Sequence, residues 1–238
     1  KGSSSTVITA AYQNLGDTHL MLGGQAVTAT GMTSMDASGY HSCGINGSGG
    51  ILCWGANNYG KLGNGSTDNN ATPVSVTGIS SGATQVSAGQ DHTCALLSDS
   101  TIKCWGYNHW GQLGDTTTTQ RLTPVSVSGI STATKVDTGY SHTCALLSDS
   151  TVKCWGLRSD NKLGDNRGDN KLPQTVKNLS SQVSGSAGYE HTCAIGSGGA
   201  VSCWGKNDYA QLGTGDTSNR AEPASISGFT ASDVSSGR

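Results

Sequence analysis

Four histidines stand two residues before a cysteine, and each of those cysteines is followed, after nine residues, by Cys-Trp-Gly. The sets are His41, Cys43, Cys53 and Trp54; His92, Cys94, Cys104 and Trp105; His142, Cys144, Cys154 and Trp155; and His191, Cys193, Cys203 and Trp204. All 8 cysteines lie in them. One His and two Cys could ligate a metal, but a structural zinc wants four ligands and there is no CxxC spacing. Buried free thiols are a second option. A disulfide within each set is the third, and the elements around it favour that one.

In the second copy, residues 92–97 and 101–106 are β-compatible and flank Ser98, Asp99 and Ser100, which are turn residues. Pairing about Asp99 sets Cys94 opposite Cys104, and opposed residues on antiparallel strands are within reach of a disulfide. The expected bridges are therefore Cys43–Cys53, Cys94–Cys104, Cys144–Cys154 and Cys193–Cys203. Four oxidised pairs suit an extracellular or cell-surface protein better than a cytosolic one.

The sets recur about every 50 residues, a period that signals stacked or radially arranged copies of one unit. A residue present in every copy serves the unit more readily than a single centre, so the histidines read as hydrogen-bonded structural groups. The tryptophans read as packing between units, with a ligand platform as the rival. Leu62, Leu113, Leu163 and Leu212 follow in Gly-Gln-Leu-Gly-like segments and read as plugs between units. A fourth alternating strand follows, with Pro73, Pro124, Pro173 and Pro223 at its start, which marks it as an edge.

The 238 residues carry a formal charge of −2, and only 13% are charged, so no basic surface points to nucleic acid. Apolar residues make up 34%, a thin supply for a core, while 35 glycines favour turns and short strands. No apolar run reaches the length of a membrane helix and no signal peptide is visible. No catalytic residue, metal site or cofactor motif is assigned: the Gly-x-Ser-x-Gly, phosphate-loop and His-Glu-x-x-His patterns are missing.

The His-Thr-Cys-Ala-Leu of residues 92–96, the Lys-Cys-Trp-Gly-Tyr-Asn of 103–108 and the Gly-Gln-Leu-Gly-Asp of 111–115 resemble the regulator of chromosome condensation repeat family. The other three copies match with small departures, and the resemblance covers roughly residues 35–238. It implies an all-β protein, a β-propeller of four-stranded antiparallel blades. The cysteine pairs are more similar to the family's secreted bacterial members, among them a propeller-type β-lactamase inhibitor. The nuclear member's exchange-factor role is not expected, and none of its functional residues is carried over.

Full repeats are expected at about 35–84, 85–134, 135–183 and 184–232, with the start of another at 233–238. Residues 1–34 read as a degenerate partial blade holding third and fourth strands, with Thr9, Ala10 and Ala11 where Cys, Trp and Gly would stand. The two ends would then build one composite blade and close a ring of about five. The rival is a longer chain, and an unfinished blade edge could also recruit another chain.

Function moves to the unrepeated loops. Tyr107, His109 and Trp110 place aromatics in a polar loop and are the candidate contact residues. Arg167, Gly168 and Asp169 form an adhesion-type tripeptide, a weak signal, as is a calcium site from Asp165 and Asp169. Asn46, Asn64, Asn70 and Asn178 head sequons and are candidate glycan sites. The expected function is a secreted or cell-surface, non-catalytic scaffold binding a protein partner. Self-assembly into an extracellular fibre or coat, or a glycan-binding propeller, are the alternatives.

Overall fold

A computed structural model describes residues 31–165, 170–228 and 230–237. Among these residues sixteen strands form four sheets, each a consecutive antiparallel meander. The first holds β1 (Met32–Ser38), β2 (His41–Asn46), β3 (Ile51–Gly55) and β4 (Asn70–Ser75). The second holds β5 (Ala83–Ala88), β6 (His92–Leu97), β7 (Ile102–Gly106) and β8 (Arg121–Ser126). The third holds β9 (Ala133–Thr138), β10 (His142–Leu147), β11 (Val152–Gly156) and β12 (Asn170–Thr175). The fourth holds β13 (Gln182–Ala187), β14 (His191–Gly196), β15 (Val201–Gly205) and β16 (Arg220–Ser225). These are propeller blades, with β1, β5, β9 and β13 innermost and in contact from blade to blade. The residues assigned to the partial blade before Gly31, including Thr9, Ala10 and Ala11, lie outside the described residues.

Each central hairpin has the expected register. Cys43 pairs with Cys53, Cys94 with Cys104, Cys144 with Cys154 and Cys193 with Cys203. All four disulfides are formed, with Cα atoms 4.1 Å apart. At the hairpin tip Asp99 Oδ1 accepts the Thr101 N–H at 3.0 Å, and Ser100 takes φ 65° where two other copies have Gly49 and Gly199. That is the left-handed position a three-residue hairpin loop demands.

The outer strands begin about three residues earlier than expected, so the prolines fall inside them. Pro124, for example, is the fourth residue of β8. An edge strand needs hydrogen bonds on one side only, and a proline nitrogen on the other side costs nothing.

The core lies between blades, where it is built from one sheet's disulfide and the next sheet's tryptophan. Cys43, Ile45, Ile51, Cys53 and Leu62 pack against Val86, Ala95 and Trp105 of the second blade. The next boundary repeats this with Cys94, Cys104, Leu113 and Trp155, and the third with Cys144, Cys154, Leu163 and Trp204. Val234 and Ala231 complete the cluster on the fourth blade, and the Ser236 N–H donates to Ser186 Oγ at 2.9 Å. The same bond joins the Thr138 N–H to Ser87 Oγ at 3.1 Å between the second and third blades.

A cavity of about 560 Å³ runs between the innermost strands. Asp36 and Asp137 line it, and each accepts an N–H from the following blade, Ala88 to Asp36 and Ala187 to Asp137, both at 2.8 Å. Burial raises both carboxyls. Asp137 reaches about 6, and the neighbouring Asp36 charge adds to its rise. A raised carboxyl stabilises the fold below its unfolded value near 3.8, and that contribution fades as pH climbs through 6. Asp137→Ser installs what Ser87 and Ser186 already supply in the adjacent blades. It is expected to remove about 1–3 kcal/mol of pH-dependent stability between pH 4 and 7, read from urea unfolding across that range.

Candidate functional site

The repeated residues form a latch between blades. Trp105 Nε1–H donates to the Lys61 carbonyl of the preceding blade at 2.9 Å, and Thr93 Oγ1–H donates to the same oxygen at 2.8 Å. Because the Thr93 proton is committed there, its oxygen accepts from His41 Nε2–H at 2.8 Å, which fixes the histidine tautomer. The second latch joins His92 to Thr143, with Thr143 and Trp155 donating to the Gln112 carbonyl. The third joins His142 to Thr192, with Thr192 and Trp204 donating to the Lys162 carbonyl.

The glycines of the latch have no room for a side chain. A Cβ on Gly63 would lie 2.7 Å from Trp105 Nε1, and one on Gly106 would lie 2.6 Å from the Asp91 carbonyl oxygen with φ at +105°. The latch histidines are neutral. Burial, with the Lys61 charge adding, lowers His41 and His92 to about 3.

Trp105, Trp155 and Trp204 are fully buried, so the repeated tryptophan is a packing residue and not a ligand platform. Trp54, for which no latch lies among the described residues, is only half-buried. Trp155→Phe is expected to cost about 2 kcal/mol through one lost hydrogen bond and a void, against less than half of that for Trp54→Phe. Urea midpoints of the two variants check the contrast. The cysteines of each His-Cys-Cys set are bonded to one another, so no thiolate is left there as a metal ligand.

Within each blade the loops from first to second strand and from third to fourth strand open at one end. The other two loops open at the opposite end. Every described tyrosine lies at the first end. Tyr40, Tyr140 and Tyr189 follow the first strands, and Tyr59, Tyr107 and Tyr209 follow the third. Tyr107, His109 and Trp110 come together as the sequence suggested: His109 sits edge-on to Trp110 with centroids 4.7 Å apart, and 6.2 Å from Tyr107.

The first blade extends this patch through Tyr59, whose ring lies 4.6 Å from that of Tyr107. Nearer the axis, Tyr140 of the third blade touches Tyr189 of the fourth at 4.1 Å. Burial raises the Tyr107 phenol, with the tyrosine and Asp91 charges nearby adding to it, so the hydroxyl stays protonated and available as a donor. Tyr40, Tyr59, Trp110 and Tyr209 are 64%, 42%, 36% and 87% exposed. Sequence reasoning had singled out only one loop of this face. Aligning the copies would have revealed the rest, because the tyrosines fall in only two of the four loops of each repeat.

The loops themselves are held from beneath. Asn57, Asn108 and Asn207 are buried; each accepts the N–H of the plug leucine and donates to carbonyls across its loop. Lys61, also buried, reaches Asp91 of the second blade at 2.6 Å.

The remaining sequence candidates are scattered. Arg167, Gly168 and Asp169 lie outside the described residues. Asp165 is buried and accepts from Asn170 at 2.9 Å, so it is packed into the fold. Asn178 is exposed at the end opposite the tyrosines, and Asn46 starts a hairpin tip at that same end. Asn64 belongs to the tyrosine-side loop of the first blade, and Asn70 opens β4 at the end of that loop. Asn46 and Asn64 side-chain oxygens accept backbone N–H groups within their own turns.

These blades place the chain in a family. The model of the regulator of chromosome condensation (RCC1) repeat matches residues 48–96, 104–146 and 198–238, and a second model of that repeat matches 32–61, 83–112, 133–164 and 183–211. The chain belongs to the RCC1 repeat family.

It is 35% identical over 117 residues to the ultraviolet-B receptor UVR8 of Arabidopsis thaliana, a match covering 48% of this chain and 27% of the receptor. In fold it is similar to human WBSCR16, with a TM-score of 0.78 and 21% identity over 87% of this chain and 56% of that one. It is also similar to yeast RCC1 (Prp20) in complex with Kap60, with a TM-score of 0.74 and 19% identity over 83% and 49%. The chain thus spans about half the length of these two solved relatives. Among the described residues, no helix is long and apolar enough to cross a membrane.

Proposed function

We propose that this chain is an exported, non-catalytic protein-binding scaffold whose contact face is the tyrosine-bearing end of the propeller. The observation that carries the reading is the segregation of every described tyrosine, with Trp110, to one end of the blades. Tyrosine and tryptophan supply large contact area at low entropic cost and keep a polar group for hydrogen bonding, which is why they dominate binding surfaces. The latches and buried asparagines hold the loops rigid beneath them, so little ordering cost falls on binding. Prp20, similar in fold, is bound to Kap60 in its crystal structure, so a protein that contains this fold has a protein partner. The four disulfides support an oxidising compartment outside the cytosol.

The test is a displayed library of small protein domains selected on the folded chain. Selected binders are expected to lose at least tenfold in affinity to Tyr107→Ala or Trp110→Ala, about 1.4 kcal/mol or more. They should keep their affinity for Asp99→Ala and Asp149→Ala at the opposite end. Binders that depend on Asp99 and Asp149 while ignoring Tyr107 and Trp110 would overturn the assignment.

A further inference from the structure

All four disulfides lie within blades, so none ties one blade to another. Two tyrosine pairs stand at blade boundaries instead. Tyr59 of the first blade and Tyr107 of the second have ring centroids 4.6 Å apart and planes inclined by 49°. Tyr140 of the third and Tyr189 of the fourth are 4.1 Å apart and inclined by 36°. Rings this close already touch through their edges or faces, and a biaryl bond between ortho carbons would hold the two centroids at a similar separation and tilt.

We infer that Tyr140–Tyr189 and Tyr59–Tyr107 are sites of dityrosine cross-linking, which would join blades covalently at the boundaries the disulfides leave open. The co-reactants are hydrogen peroxide and a haem peroxidase. Each phenol gives up one hydrogen atom from its hydroxyl, leaving an unpaired electron shared with the ortho carbons. The two radicals form a carbon–carbon bond between those carbons. Each ring then moves its ortho hydrogen to the oxygen and regains the phenol. The pair has lost two hydrogen atoms in all, and the peroxide, taking up both, leaves as two waters.

Three features of the chain favour this outcome over others. Partners held in contact react as one molecule, with a large advantage over any encounter between chains. Tyr59 is open to solvent, and the other three are half-buried, so the oxidant has access to each pair. The cysteines, which would otherwise quench such radicals, are all in disulfides. Use of the sites in life needs the exported setting proposed above. The chemistry does not, and the experiment is independent of location and of any binding partner.

The experiment treats the dilute folded chain with a plant haem peroxidase and hydrogen peroxide, then maps peptides by mass spectrometry. The expected products remain monomeric, show dityrosine fluorescence, and contain Tyr140 linked to Tyr189 and Tyr59 linked to Tyr107, each pair lighter by two hydrogen atoms. Tyr140→Phe should abolish the first link and spare the second; Tyr107→Phe should do the reverse. Both variants keep the ring and its packing, and circular dichroism confirms that they fold. The inference fails if only the exposed Tyr40 and Tyr209 couple, joining separate chains. It fails equally if no link forms within the chain while free tyrosine couples under the same conditions, or if either link survives its own phenylalanine variant.

Discussion

Reduction of the four hairpin disulfides is expected to unfold the chain. Each bridge closes a loop with a sequence separation of 10. By chain entropy that is about 2–3 kcal/mol apiece, so four contribute on the order of 10 kcal/mol. The net stability of a domain is only about 5–15 kcal/mol. A chain with only 34% apolar residues and a single phenylalanine has little to set against such a loss. The sulfurs are also core atoms: Cys94 and Cys104 are fully buried in the cluster that holds Leu113 and Trp155.

Two consequences separate this from a merely decorative role. Replacing one pair, Cys94→Ala with Cys104→Ala, should lower the unfolding free energy by about 2–3 kcal/mol and leave a folded protein. Native protein should resist reductant until urea opens the blades, because a thiolate cannot reach a sulfur that solvent does not touch. A chain shown by mass to be fully reduced, yet with an unchanged urea midpoint, would contradict both.

Mild acid is expected to act almost as strongly. His41 and His92 have folded values near 3 against an ordinary 6.5. Above pH 6.5 both states hold a neutral imidazole and the latch stability is complete. As pH falls, the unfolded chain takes up protons that the folded latch refuses, so stability drops until pH reaches the folded value. The slope is about 1.4 kcal/mol per pH unit for each histidine, or about 5 kcal/mol for the two together at pH 4.5.

His142 is lowered for the same first cause, burial, and acts in the same direction. Asp137 opposes them, since its raised carboxyl gains stability as pH falls below 6, but by a smaller amount. Urea midpoints from pH 7.5 to 4.5 should therefore decline. His92→Gln keeps a donor toward Thr143 and should flatten the decline by about one histidine's share. A midpoint that holds steady over that range would show that the latch histidines titrate normally.

The hairpins were legible because two features fixed them together. Ser98, Asp99 and Ser100 mark the turn, and the cysteines fall at equal distances from it, so register and bridge follow from one another. His41 was legible as a hydrogen-bonded structural group and Trp105 as packing, but their partners were not. The acceptor that Trp105 shares with Thr93, the Lys61 carbonyl, belongs to a segment 44 residues before Trp105 and carries no side-chain signature. The outer-strand boundaries were not legible because proline usually marks a strand's start, whereas a strand with one free side accommodates it within. Asp36 and Asp137 escaped notice because they alternate with Ser87 and Ser186, and a period-based reading looks for sameness. The aromatic face was half-seen at Tyr107, His109 and Trp110. Its full extent depends on the meander, which carries loops distant in sequence to one end.

The central claim is that the tyrosine-bearing end of a rigid propeller is the surface that engages a protein. Hydrogen exchange of the chain, alone and saturated with a bound protein partner, tests it most directly. The amides of residues 57–60, 107–111, 139–141 and 188–190 are predicted to gain protection in the complex, while the hairpin tips at 47–50, 98–100 and 148–150 exchange as before. Protection confined to those tips, with the tyrosine loops unchanged, would contradict the account.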